Sequence, residues 1–193
     1  MDYLLLVNKV NKLQKNYVPK DLVEVKTIIP GSVQVDRKIY LEKLVAKKWL
    51  ELKKYVSDLG YNIDISSGYR SYEYQQKLLD NKIEEKGYKE ALKIAAIPGT
   101  SEHQTGLCLD YEKYYYEDNT LKSDLNESDV EYKIVNEIAH QYGFIIRYPK
   151  GKEDITGYKF EPWHLRYVGL KAALKIYKDN ITLEEYTHKI LIK

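Results

Sequence analysis

Ser101-Glu102-His103-Gln104-Thr105-Gly106-Leu107-Cys108-Leu109-Asp110 reads as a polar loop that feeds a short strand. Beyond Gly106, Leu107 and Leu109 alternate with Cys108 and Asp110, which turns the leucines toward a core and Asp110 to the opposite face. His103 and Asp110 can then border one pocket. Further along, Glu161-Pro162-Trp163-His164 offers a second imidazole and a second carboxylate. Pro162 removes a backbone donor and interrupts a regular ladder, so Glu161 and His164 need not point to opposite faces and can converge. Two imidazoles and a carboxylate suit a catalytic zinc ion that keeps one coordination position for water, and Glu161 stands beside the last ligand as a base. The pattern implies a metallohydrolase.

The rest of the chain reads as a frame for these two segments. Leu41, Leu44, Val45, Leu52, Tyr55, Val56 and Leu59 fall on one stripe of a helix that ends at Gly60. Ile63 and Ile65 alternate in a strand that delivers Arg70, and Ser71 is a good N-cap for a helix over 71–86. Residues 88–97 read as helical until Pro98-Gly99 turns the chain into the metal segment. Residues 116–126 are polar and acidic and read as a loop. Val130, Ile134, Ile138 and Tyr142 mark another helical face, stopped at Gly143. A strand over 144–147, a charged loop over 149–156 and a bent strand or hairpin over 158–168 follow. Two helices close the chain, the last opening with the capping box Thr182-Leu183-Glu184-Glu185. His140 and His188 lack a second ligand type at useful spacing and read as structural or surface residues. Cys108 reads as a small buried hydrophobe outside the site. Tyr114-Tyr115-Tyr116 and Tyr167 read as packing residues, although either lies close enough in sequence to reach a pocket rim.

Composition bounds the answer without producing it. The chain has 193 residues and is 44% hydrophobic, which fits one globular domain with a substantial core over 1–193. A net charge of +2 with dispersed lysines argues against nucleic acid as a partner. A single cysteine excludes an internal disulfide and fits a reducing compartment. Met1-Asp2-Tyr3-Leu4-Leu5-Leu6-Val7-Asn8-Lys9 has an acid where a signal peptide carries positive charge, and its apolar stretch is too short to span a membrane. If Met1 is the native start, the expected location is cytoplasmic.

Ser67-Gly68-Tyr69-Arg70-Ser71, the segment from Ser101 through Asp110, and Glu161-Pro162-Trp163-His164-Leu165-Arg166-Tyr167-Val168-Gly169 together resemble the signature segments of the zinc D-alanyl-D-alanine peptidases of the VanY and VanX kind. That group shares its fold with hedgehog-type signalling domains. Leu5-Leu6-Val7-Asn8-Lys9, Gly143-Phe144-Ile145-Ile146-Arg147-Tyr148-Pro149, Glu153-Asp154-Ile155-Thr156-Gly157 and Thr182-Leu183-Glu184-Glu185-Tyr186 extend the resemblance toward the bifunctional VanXY subgroup. It implies an α+β domain whose small antiparallel sheet carries the zinc site, flanked by helices. Zinc ligands His103, Asp110 and His164 are implied, with Glu161 as general base and Arg70 as the cation facing the scissile carbonyl. Ser101 and Gln75 are implied as the groups that hold the substrate's carboxylate end. The implied substrates are the D-Ala-D-Ala dipeptide, the D-Ala-D-Ala end of peptidoglycan precursors, or both, and vancomycin resistance would follow. An L,D-carboxypeptidase that trims tetrapeptides shares these motifs; a phage-type endopeptidase is a further enzymatic alternative. A non-catalytic zinc module would be expected to lose the base or the cation, and here Glu161 and Arg70 are both present.

Overall fold

The computed structural model of the protein describes residues 2–28 and 38–191. A hairpin of β1 (Leu22–Val25) and β2 (Ile39–Glu42) leads into helix α1 (Lys43–Asp58). Strand β3 (Ile63–Ser67), helices α2 (Tyr72–Lys86) and α3 (Tyr88–Ile94), and a 3₁₀ turn over Glu102–Thr105 bring the chain to β4 (Cys108–Glu117) and β5 (Thr120–Asp124). Helix α4 (Val130–Ile138), strand β6 (Phe144–Ile146), the short α5 (Glu153–Thr156), strand β7 (His164–Tyr167), and helices α6 (Leu170–Asp179) and α7 (Leu183–Leu191) complete it. The main sheet runs β3-β4-β7-β6, with β5 paired to β4, and its pairings are antiparallel. This is the mixed α and β class, with small antiparallel sheets, that the resemblance implies.

The sheet separates a core from a site. Ile63, Ile65, Leu109 and Leu165 are buried on one face with Val45, Trp49, Leu52 and Val56 of α1. The buried stripe of α1 steps by four, three and four residues, the helical repeat. Tyr55 and Leu59, expected on that stripe, are 42% and 48% exposed, and Leu41 belongs to β2 instead. The Glu42 carboxylate starts α1 by accepting from the backbone N–H groups of Leu44 and Val45. Glutamate is not among the preferred N-caps, so this start carried no local signal.

Three further differences have the same origin. The loop expected over 116–126 is instead the end of β4, a turn and β5, held by a ladder from Lys113↔Asp124 to Glu117↔Thr120. Asp118 and Asn119 turn the chain with φ of 48° and 58°, a conformation that short Asx side chains tolerate. The charged loop over 149–156 contains α5, and only 164–167 of the expected bent strand is regular. The capping box forms as expected: Glu185 N–H donates to Thr182 Oγ1 at 3.2 Å, and Thr182 N–H donates to Glu185 Oε2 at 2.8 Å.

Candidate active site

Register alone brings the first two chemical groups together. In the β4–β7 pair Asp110 lies opposite His164, Leu109 opposite Leu165 and Cys108 opposite Arg166. Residues directly opposite in an antiparallel pair share a face, so burying the two leucines against α1 sends Asp110 and His164 to the other side. Ser67 of β3 pairs with Asp110 beyond a bulge, and the chain leaving β3 therefore delivers Arg70 to the same edge. The turn over Glu102–Thr105 supplies His103 from above.

His103 is fixed by its backbone surroundings. Its Nδ1 lies 2.7 Å from the Gly68 carbonyl, and its own carbonyl accepts from Arg70 N–H at 3.1 Å. Only glycine fits at 68, since a Cβ there would stand 2.5 Å from the Tyr40 carbonyl oxygen. With Nδ1 engaged, Nε2 points into the site, 3.3 Å from Asp110 Oδ2. His164 is mounted the other way round. Its Nδ1 lies 3.2 Å from Asp110 Oδ1 and 3.6 Å from Glu161 Oε2, and its Nε2 faces away toward Glu102.

These separations fit a zinc ion. Tetrahedral zinc with bonds of about 2.0–2.2 Å holds its donor atoms roughly 3.3–3.5 Å apart, close to the spacing of each imidazole nitrogen from the Asp110 carboxylate. Asp110 Oδ1 is buried without a hydrogen-bond partner. Burial alone would raise the Asp110 carboxyl, but the imidazoles of His103 and His164 hold it well below its ordinary range. Burial would lower His164, yet Cys108, Asp110 and Glu102 together push it well upward. The cluster favours positive charge at one point, which is what a dication supplies.

Cys108 belongs to this cluster, contrary to its reading as a hydrophobe apart from the site. Its Sγ and one nitrogen each of His103 and His164 lie within 4.8 Å of one another. Burial would raise the thiol, and the two imidazoles bring it down to about 7. The missed signal was the strand period itself, since Cys108 lies two positions before Asp110 and so on the same face. Both faces of β4 are buried here.

Around the cluster opens a cleft of about 450 Å³. Arg70, Ser101, Glu161, Trp163 and Tyr148 line it, and Gln75 reaches it from the first turns of α2. Arg70 Nη2 donates to Asp110 Oδ2 at 3.1 Å, and Arg70 Nη1 donates to Gln75 Oε1 at 3.2 Å. Gln75 Nε2 donates in turn to the Ala96 carbonyl at 2.9 Å, which leaves one amide proton for other use. Burial raises the Glu161 carboxyl above the ordinary glutamate range; His164 opposes this and Asp110 adds to it. A proton acceptor with a raised pKa and a guanidinium that border one cluster of candidate metal ligands can carry hydrolysis at a carbonyl. Tyr167 is buried edge-on against Tyr3 and Phe144, and Tyr114-Tyr115-Tyr116 pair with β5, so neither set lines the cleft.

Residues 38–170 match the family model VanY, described as D-alanyl-D-alanine carboxypeptidase. The chain is 44% identical over 192 residues to the putative carboxypeptidase YodJ of Bacillus subtilis (strain 168), covering 97% of this chain and 67% of that protein. It is 37% identical over 186 residues to VanXYC of Enterococcus gallinarum, a bifunctional D-Ala-D-Ala dipeptidase and D-Ala-D-Ala carboxypeptidase, covering 96% of this chain and 94% of that one. Among solved structures, the LdcB LD-carboxypeptidase superposes with a TM-score of 0.81 at 44% identity, over 95% of this chain and 85% of that one. A mutant of the vancomycin-resistance D,D-pentapeptidase VanY, in complex with Zn(II), superposes with a TM-score of 0.77 at 31% identity, over 97% and 99%.

Proposed function

The chain belongs to the VanY family of D-alanyl-D-alanine carboxypeptidases, and on that premise we propose that it is a zinc D,D-peptidase acting on peptides that end in D-Ala-D-Ala. The proposed substrates are the free dipeptide, the D-Ala-D-Ala end of peptidoglycan precursors, or both. The observation that carries the reading is convergence: His103, Asp110 and His164 meet Glu161 and Arg70 in one cleft. Residues 1–193 are taken as one catalytic unit, because Arg166 of β7 binds the Tyr3 and Leu5 carbonyls while Arg147 binds Glu184 of α7.

In this proposal His103 Nε2, Asp110 and His164 Nδ1 hold the zinc, which when bound polarises a carbonyl and makes water a better nucleophile near neutral pH. Glu161 takes the proton from the attacking water and returns it to the leaving amine of the terminal D-alanine. Its burial, which disfavours the carboxylate, makes it a better base than a solvated glutamate. Arg70 faces the scissile carbonyl and donates to the oxyanion as charge develops there. Asp110 and Gln75 hold the guanidinium from two sides, so little reorganisation is needed in the transition state. Ser101 and the spare amide proton of Gln75 are assigned to the substrate's terminal carboxylate.

A second reading is favoured by the 44% identity to LdcB, an LD-carboxypeptidase. One experiment separates the two: zinc-loaded protein is offered D-Ala-D-Ala, a pentapeptide ending in D-Ala-D-Ala and a tetrapeptide ending in one D-alanine, and released D-alanine is measured. Release from the dipeptide or pentapeptide is expected. Release from the tetrapeptide alone would replace the D,D assignment by the L,D one. Loss of the D-Ala-D-Ala terminus would also deplete the target of vancomycin, so expression in a sensitive host should raise tolerance to that drug.

A further inference from the structure

We propose that Glu102 is a positioning residue for the metal centre: its carboxylate accepts the Nε2–H of His164 and so turns the Nδ1 lone pair of that ring toward the metal. The inference rests on the assignment of His164 as a zinc ligand and goes beyond it, because Glu102 is not among the groups assigned to the metal or the substrate. It is 1% exposed, and its two oxygens are used differently. Oε1 accepts from Arg147 Nε at 2.7 Å and from Arg166 Nη1 at 2.6 Å. Oε2 has no hydrogen-bond partner and lies 3.6 Å from His164 Nε2, itself buried without one. The two orphaned atoms are complementary, an imidazole nitrogen facing a carboxylate oxygen. Since Nδ1 faces Asp110 and Glu161, Nε2 is the ring nitrogen left to carry the proton.

The two flanking arginines explain why the acceptor is a carboxylate. A carboxylate can take two guanidiniums on one oxygen and still present the other oxygen as an acceptor to the ring. Arg147 and Arg166, both 0% exposed, donate to Oε1 and leave Oε2 facing the imidazole. Arg147 is in turn gripped by Glu184 of α7 through Nη1 at 3.0 Å and Nη2 at 2.8 Å, and Glu184 accepts from Asn8 Nδ2. A chain of charged groups thus runs from α7 to the back of one imidazole. His103 is oriented by different means, with the Gly68 carbonyl at its Nδ1, so the two rings present opposite nitrogens to the site. Acceptors of this kind behind a metal-bound imidazole set its orientation and raise its basicity.

The test begins on the zinc-loaded wild type, with imidazole nitrogens labelled by ¹⁵N. The proposal expects His164 protonated at Nε2, with a slowly exchanging proton, and His103 protonated at Nδ1; a His164 proton on Nδ1 would overturn it. Chelator competition then measures zinc affinity in E102Q, expected to be weakened by about 10- to 100-fold, and in E184Q. The second variant removes a charge from the same network at the far side of Arg147 and should keep wild-type affinity. Equal zinc binding by E102Q and wild type, or equal losses in both variants, would overturn the positioning role. If E102Q does not fold, the wild-type spectrum decides alone. A wild type that takes up no zinc would overturn the ligand assignment and this proposal with it, whereas a zinc-loaded wild type with an unaffected E102Q overturns this proposal only.

Discussion

Replacing Glu161 with glutamine separates chemistry from metal binding. The amide keeps the size of the carboxylate but cannot take a proton, so the variant should fold and lose its base. A positioned acid–base group contributes about 10²- to 10⁴-fold, which at about 1.36 kcal/mol per tenfold corresponds to roughly 2.7–5.4 kcal/mol of barrier. The upper half of that range is expected here, because the Glu161 side chain is only 28% exposed and bulk base reaches it poorly. Arg70 remains in place, so turnover should fall without reaching the uncatalysed rate. Metal occupancy should persist: Glu161 Oε2 is 3.6 Å from His164 Nδ1, farther than the 3.2 Å of Asp110 Oδ1. Burial raises the wild-type carboxyl, so kcat/KM should fall as pH drops through that raised value, and this acid limb should be missing from the variant. The assay is release of D-alanine under saturating and limiting substrate, with zinc per chain measured on the same sample. Turnover within tenfold of wild type, or loss of zinc with the activity, would refute the assignment of Glu161 as base.

His103→Ala and His164→Ala should each lose most of the zinc that the wild type holds at about one per chain, as read by metal analysis after dialysis. Removing zinc with a chelator should abolish D-alanine release, and adding zinc back should restore it. Arg70→Ala should lower kcat more than it raises KM, because the guanidinium faces charge that develops in the transition state, whereas Ser101→Ala should act mainly on KM; steady-state kinetics with the pentapeptide separates them. Gly68→Ala should cost about 1–3 kcal/mol of stability, the range for overpacking, and should weaken zinc binding as well, since the added Cβ meets the Tyr40 carbonyl and displaces the acceptor of His103. Thermal melts of the zinc-free protein and chelator competition read the two effects.

Local order was written in the sequence wherever the chain interacts with its own neighbours. Val45, Leu52 and Val56 mark the buried stripe of α1, to which the structure adds Trp49, Ser71 starts α2, and Thr182 with Glu185 starts α7. The alternation around Leu107 and Leu109 put Asp110 on the face away from the core, and the structure brings His103, Asp110, His164, Glu161, Arg70, Ser101 and Gln75 to one cleft. Pairings between distant segments were not legible. Residues 120–124 are short and polar, and they are a strand because β4 offers an edge to pair with; the turn at Asp118-Asn119 shows its positive φ only in the structure. Strand period placed Cys108 on the same face as Asp110, but only the packing of the 102–105 turn over that face shows that the face is buried and that the thiol meets two imidazoles. Glu102, Arg147 and Arg166 carry no local signal of burial, since such residues are rarely buried without partners. Their network joins five parts of the chain, and a charge becomes stable in the interior only when the fold has brought those parts together.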